Sequence, residues 1–95
     1  MMRVIWTRQA VEDVEAIKTY VARDSLRYAA LLVERIVGAV DRLESFPESG
    51  RVVPEVGDNT LREVIFGAYR IVYRVQSQES VQVVTVHHAA RLLRV

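Results

Sequence analysis

The 95-residue chain predicts an α+β fold in which a helical hairpin packs on an antiparallel sheet. Three observations carry that reading. Residues 61–88 run L-R-E-V-I-F, G-A, Y-R-I-V-Y-R-V, a polar break at 76–80, then V-Q-V-V-T-V-H-H. Three β-rich runs separated by short turn signals describe an antiparallel meander. Two earlier stretches carry apolar residues at helical spacing. A short alternating run at the N-terminus adds a first strand, so the order is β-α-α-β-β-β over a single domain, residues 1–95.

Taken in order, Arg3–Trp6 alternates and is β-prone. Thr7 is placed to cap a helix in which Ala10, Val14, Ile17 and Val21 form one apolar stripe, with Glu12, Glu15 and Lys18 turned outward. Arg23, Asp24 and Ser25 interrupt it, and Ser25 can cap a second helix. There Ala29, Leu32, Val33, Ile36, Val40 and Leu43 share a face, while Glu34, Arg35, Asp41 and Arg42 are solvated. Phe46-Pro47 ends that helix, because the residue before proline avoids the α region. Two helices joined by a tight turn make an αα-hairpin whose stripes can cover the apolar face of a sheet.

Residues 47–60, P-E-S-G-R-V-V-P-E-V-G-D-N-T, read as a loop that is long for so small a domain. Gly50 allows a turn there, and Arg51 can pair with Glu55. Gly67-Ala68 suits a type II′ hairpin turn, since glycine takes the required φ without strain. In the following run Tyr69, Ile71, Tyr73 and Val75 point one way and Arg70, Val72, Arg74 and Gln76 the other. Val40 and Leu43 are expected to face Ile71 and Tyr73 across the core. Residues 89–95 can form a last helical turn or an extended tail.

Composition narrows the function classes. The chain is 51% hydrophobic and 26% charged, ordinary for a globular domain, and a chain this size buries roughly 60–65% of its unfolded surface. The absence of cysteine excludes disulfides, thiolate nucleophiles and cysteine-ligated metals. No run is long and apolar enough to cross a bilayer, and the N-terminus lacks the apolar core of a signal peptide, so a cytoplasmic protein without membrane contact is expected. A net charge of +1 argues against a general phosphate affinity; nucleic-acid contact would need local clustering. Lys18 is the only lysine, and arginine's planar fork suits carboxylate or phosphate, although GC-rich codon usage accounts for it equally well. Adjacent histidines without spaced acidic partners make no metal site, and there is no glycine-rich phosphate loop, so no metal or cofactor is expected.

RNA cleavage by 2′-hydroxyl attack needs a base, an acid for the leaving oxygen, and cations on the phosphate. Arg62, Arg70, Arg74 and Arg91 are candidates for the phosphate, and His87 or His88 for proton transfer. Neighbouring residues of a strand point oppositely, so only one histidine can share a face with Arg70 and Arg74. The structural alternative is one histidine bonded to a nearby carbonyl and one exposed. If the hairpin closes at Gly67-Ala68, Arg62 lies near Arg74, and Glu63 near Val72 or Tyr73. Clustered arginines repel unless an anion answers them, and Glu48, Glu55 or Glu63 can answer internally. Internal ion pairing is assigned first to Arg62. Contact with a partner is assigned first to Arg70 and Arg74, and His88 and Arg91 join that set. Tyr69 and Tyr73 are read as core.

The phrases F-P-E-S-G-R-V-V-P-E at 46–55, L-R-E-V at 61–64, Y-R-I-V-Y-R-V at 69–75 and V-H-H-A-A-R at 86–91, in this order, resemble the ParE/RelE superfamily of bacterial type II toxin–antitoxin toxins. The likeness spans nearly the whole chain and points to the ParE branch; Leu26 stands where many relatives carry proline. It implies a toxin that inhibits DNA gyrase by binding and is neutralised by a cognate antitoxin in a hetero-oligomer. Alternatives within the resemblance are a RelE-type endoribonuclease acting on ribosome-bound mRNA, and a non-toxic relative that only binds antitoxin. On the first reading no residue is catalytic. On the ribonuclease reading the candidates are His88, Arg62, Arg70 and Arg91. The antitoxin is expected to bind as a helix plus an extended strand.

Overall fold

Each helix begins at a hydroxyl. Thr7 Oγ1 accepts a hydrogen bond from the Ala10 N–H at 3.0 Å, and Ser25 Oγ accepts one from the Tyr28 N–H at 3.0 Å. These caps satisfy donors that the first turn leaves open. A computed structural model describes residues 1–90. Its elements are β1 (Arg3–Trp6), α1 (Arg8–Ala22), α2 (Leu26–Asp41), a 3₁₀ turn at Arg42–Glu44, β2 (Arg51–Val52), β3 (Leu61–Phe66), β4 (Tyr69–Val75) and β5 (Ser80–His88). Arg91 and the rest of the expected C-terminal turn or tail lie outside the described residues. No helix among the described residues is long and apolar enough to cross a membrane.

The five strands form one sheet in the order β1-β5-β4-β3-β2. The meander β3-β4-β5 is antiparallel as expected, but β1 runs parallel to β5, so the sheet is mixed. Strand direction at that edge is set by the crossover through α1 and α2, which no local pattern in β1 encodes. The second departure is β2. Two residues inside the expected loop pair with β3, Arg51 opposite Glu63 and Val52 opposite Arg62. Flanking glycine and prolines hide so short a strand.

Gly67 has φ +56° and Ala68 has no positive φ, the backbone of a type II′ turn. Phe66 therefore pairs with Tyr69, and the ladder runs back to Leu61 opposite Arg74. Arg62 pairs with Tyr73, not Arg74. That single residue of register places Arg62 and Arg74 on opposite faces.

Ala10, Val14, Leu32, Ile36 and Val40 bury their side chains against Ile71, Val83 and Val86. Leu43 packs with Tyr73 and Val81 in a second cluster. Val40 thus belongs with Ile71 and Leu43 with Tyr73, the pairing the helical stripe predicts. Burial of each large aliphatic side chain contributes on the order of 1.5–3 kcal/mol. The other face carries a smaller apolar cluster, Val53, Leu61 and Val72.

A bulge in β5 decides which histidine lies where. Val72 pairs with Thr85 but Tyr73 with Val83, leaving Val84 as the extra residue. Val81 and Val83 face the helices before the bulge, and Val86 after it. The alternation is thereby shifted by one.

Candidate functional site

On the face away from the helices, Arg70 and Glu63 come from adjacent strands and end up in the interior. Arg70 is 4% exposed and Glu63 1%. The guanidinium forks onto Glu55, with Nη1 donating to Oε2 at 2.6 Å and Nη2 to Oε1 at 2.8 Å. Its Nε donates to Glu63 Oε1 at 2.6 Å. Glu63 Oε2 in turn accepts from Arg51 Nε at 2.6 Å. The result is a chain of alternating charge, Arg51–Glu63–Arg70–Glu55. The Glu55 hydrogen bonds, and then those of Glu63, raise the Arg70 pKa above its ordinary value against the opposing cost of burial.

This corrects two sequence expectations. Arg70 is not presented outward to a partner or phosphate; its charge is answered inside the fold. Arg51 pairs with Glu63 rather than Glu55, because β2 brings it opposite Glu63 while Glu55 is taken by Arg70. Arg74 is more accessible than Arg70, with a side chain 39% exposed. Its Nη1 donates to Thr60 Oγ1 at 2.8 Å and to Asp58 Oδ2 at 3.2 Å. The Thr60 backbone N–H and hydroxyl, and then Arg74, hold Asp58 below the usual carboxylate pKa.

Arg62, assigned first to internal ion pairing, lies on the helix-bearing face and bonds mainly to backbone carbonyls. Its Nη1 donates to the Gly50 carbonyl at 2.9 Å and its Nε to the Asn59 carbonyl at 3.1 Å, while Glu48 stands 3.8 Å away. The same corner contains the Tyr73 hydroxyl, which donates to the Pro47 carbonyl at 2.7 Å and accepts from the Gly50 N–H at 3.0 Å. Burial raises the phenol's pKa, so it stays protonated. Gly50 is there for close approach, not for a turn: an added Cβ would sit 2.5 Å from the Glu63 carbonyl oxygen and 2.8 Å from the Tyr73 hydroxyl.

The two histidines separate as neighbours on a strand must. His87 pairs across from Arg70 and shares its face, whereas His88 pairs with Tyr69 on the helix side. His88 stacks edge-to-face on Tyr69 at 6.0 Å, and its Nδ1 accepts from the Ala90 N–H at 3.2 Å. Grouping His88 with Arg70 and Arg74 is therefore corrected; the Val84 bulge, invisible in the periodicity, sets the faces. Among the described residues, the candidates form no common site: Arg62 and His88 lie on one face, Arg70, Arg74 and His87 on the other. No group of three or more histidine and carboxylate side chains among the described residues could hold a metal ion.

A concave region beside α1 carries no clear sign in the sequence. At the C-terminal end of β5 a cleft is lined by Asp13, Ala16, Ile17, Tyr20, Tyr69, Val86, His87 and His88. Asp13 anchors it, accepting from the Thr85 hydroxyl and from the Val86 N–H. An acid between Ala10 and Val14, bordering an apolar stripe, was the available signal.

The comparisons agree with this architecture. Residues 4–93 match the family model described as ParE toxin of type II toxin-antitoxin system, parDE. The chain is 38% identical over 93 residues to the protein named Toxin RelE2 of Caulobacter vibrioides, covering 97% of this chain and 100% of that one. Among solved structures, a chain of the chromosomal ParDE TA system from P. aeruginosa superposes with a TM-score of 0.76 at 25% identity, covering 93% of this chain and 96% of that one. The protein belongs to the ParE toxin family of type II toxin–antitoxin systems.

Proposed function

We propose that this toxin arrests growth by binding DNA gyrase and that a cognate antitoxin neutralises it in a hetero-oligomer. The family match to ParE supports this reading. The observation that carries it is the separation, among the described residues, of three of the four ribonuclease candidates, His88, Arg62 and Arg70. His88 and Arg62 are on one face of the sheet and Arg70 on the other, and Arg70 already neutralises Glu55 and Glu63. Concerted proton transfer at one phosphate requires these groups within hydrogen-bond reach of a shared substrate. Surface complementarity to a protein target requires no such convergence.

One observation favours a second reading. The relative at 38% identity is named Toxin RelE2, so a ribosome-dependent endoribonuclease is the alternative. Induced expression without antitoxin distinguishes the two. The gyrase reading expects growth arrest with a DNA-damage response and no codon-phased mRNA cuts. Fragments phased to the ribosomal A site, with no DNA-damage response, would replace it with the ribonuclease. Co-expression of the adjacent reading frame should restore growth in either case.

A further inference from the structure

β1 is an edge strand, with β5 on one side and, among the described residues, no strand on the other. It runs parallel to β5, from Arg3 opposite Ser80 to Trp6 opposite Val83. The Arg3 N–H donates to the Glu79 carbonyl at 2.7 Å, and the Thr7 N–H to the Val83 carbonyl at 3.1 Å. Odd-numbered residues therefore turn their backbone groups toward β5, and even-numbered ones turn theirs away. The Met2 N–H obeys this, donating at 3.0 Å to the Glu44 carbonyl on the outer side. Beyond Met2, among the described residues, nothing bonds the N–H or C=O of Val4 or Trp6 along that side.

Val4 and Trp6 thus present a donor and an acceptor each, two residues apart, on an open edge. Natural edges are blunted by proline, lysine or an inward-pointing charge. This one reads Val4-Ile5-Trp6, with Arg3 the only charge in the strand. Val4 and Trp6 are half-buried against the helix-side core, while Ile5 projects from the other face, 39% exposed. At either end of the edge stands an unanswered charge of opposite sign. Arg8 opens α1 just past Trp6, Glu44 lies beside Met2, and neither makes an ion pair among the described residues.

We propose that β1 pairs antiparallel with β1 of a second copy of the chain, joining the two sheets about a two-fold axis at Ile5. Val4 of each copy then stands opposite the partner's Trp6, and each pair exchanges two N–H···O=C bonds. No other register engages both residues, so the edge is complementary to itself. The Val4 methyls meet the partner's indole on the helix side, and the two Ile5 side chains meet on the other face. The ends match as well. Opposite Met2 comes the partner's Arg8, where the chain has already turned into α1, so the guanidinium reaches Glu44 while the backbones diverge. Symmetry makes that ion pair twice. So short a ladder buries little surface, and the dimer forms at high micromolar to millimolar concentration.

Sedimentation equilibrium of the purified chain up to millimolar concentration tests this, with amide exchange at Val4 and Trp6 followed in the same samples. Wild type is compared with Ile5→Lys, Arg8→Glu, the swap Arg8→Glu/Glu44→Arg, and the control Ile65→Lys. Ile65 is 48% exposed on β3, far from β1 in the sheet. The proposal expects wild type and Ile65→Lys to approach the dimer mass as concentration rises, with the Val4 and Trp6 amides gaining protection. Ile5→Lys sets two cations against each other at the axis and stays monomeric. Arg8→Glu associates at least about tenfold more weakly, and the swap restores association. If Ile5→Lys melts early, Arg8→Glu and its swap decide the matter. A wild type that stays monomeric at millimolar concentration overturns the proposal. So does a dimer that Ile5→Lys and Arg8→Glu leave intact, or one in which Val4 and Trp6 exchange as in the monomer. Should Ile5→Lys lose binding to the adjacent frame's product while wild type alone stays monomeric, the edge belongs to that protein and the proposal falls.

Discussion

On the helix-bearing face of the sheet, Ile71, Val83 and Val86 meet Ala10, Leu32, Ile36 and Val40, all 5% exposed or less. On the opposite face, among the described residues, Val53, Leu61 and Val72 form the buried apolar cluster, and beside it Glu63 and Arg70 are buried within the charge chain Arg51–Glu63–Arg70–Glu55, whose Arg51 end is exposed. Apolar packing is non-directional, so the helices need only present a stripe of suitable volume. The charge chain is directional: both oxygens of Glu55 and of Glu63 and all three guanidinium nitrogens of Arg70 have assigned partners, which fastens the segment around Glu55 onto the sheet. The arginines that looked most available in the sequence are therefore divided by their surroundings. Arg70 belongs to the fold, and Arg74 remains half exposed at the margin.

The faces should fail in different ways. Glu63→Ala leaves the Arg70 guanidinium buried with half its partners gone, and is expected to cost about 3–5 kcal/mol. Thermal melting reads this directly, since each kcal/mol moves Tm by roughly 4–8 °C in a domain of this size. Replacing the linked charges together, as Glu63→Leu with Arg70→Met and Glu55→Gln, should recover most of the loss, because no uncompensated buried charge is left. A triple variant as unstable as Glu63→Ala would mean that the outer face depends on shape rather than charge pairing.

On the helix side, Leu43→Ala should cost about 2–5 kcal/mol through the cavity left against Tyr73 and Val81. Denaturant unfolding checks this, and a variant that unfolds with the wild type would remove Leu43 from the core. The smallest stability effect is expected at Arg74. Its pair with Asp58 is about 40% exposed on both sides, and such pairs contribute about 0–1 kcal/mol. Arg74→Glu thus separates contact from folding: the gyrase-binding reading expects weaker growth inhibition from a protein that still melts cooperatively near the wild-type temperature. Charge reversal at Arg70 cannot make that distinction, because it would disrupt the fold first.

The helices, the meander and the II′ turn were legible because each is written in local residues: hydroxyl caps at Thr7 and Ser25, apolar stripes, and Gly67 between β-prone runs. The parallel pairing of β1 with β5 was not, since it depends on a crossover whose ends lie more than seventy residues apart in sequence. The candidate site was the least legible part. One residue of register moved Arg62 to the other face, one bulge at Val84 sorted His87 from His88, and the two-residue β2 turned Arg51 toward Glu63. The first two are changes of a single position, and with a side-chain period of two each reverses a face.

The central claim is that this ParE-family toxin acts by binding and moves no proton, and purified components test it most directly. DNA supercoiling by gyrase is assayed with wild-type toxin and with the folded double variant His87→Gln/His88→Gln, beside cleavage of mRNA on programmed ribosomes. The account predicts that both proteins inhibit supercoiling to a similar extent and that neither cuts the message. Wild-type toxin that leaves gyrase untouched but cuts ribosome-bound mRNA, with the double variant slower by ~10²–10⁴-fold, would contradict it.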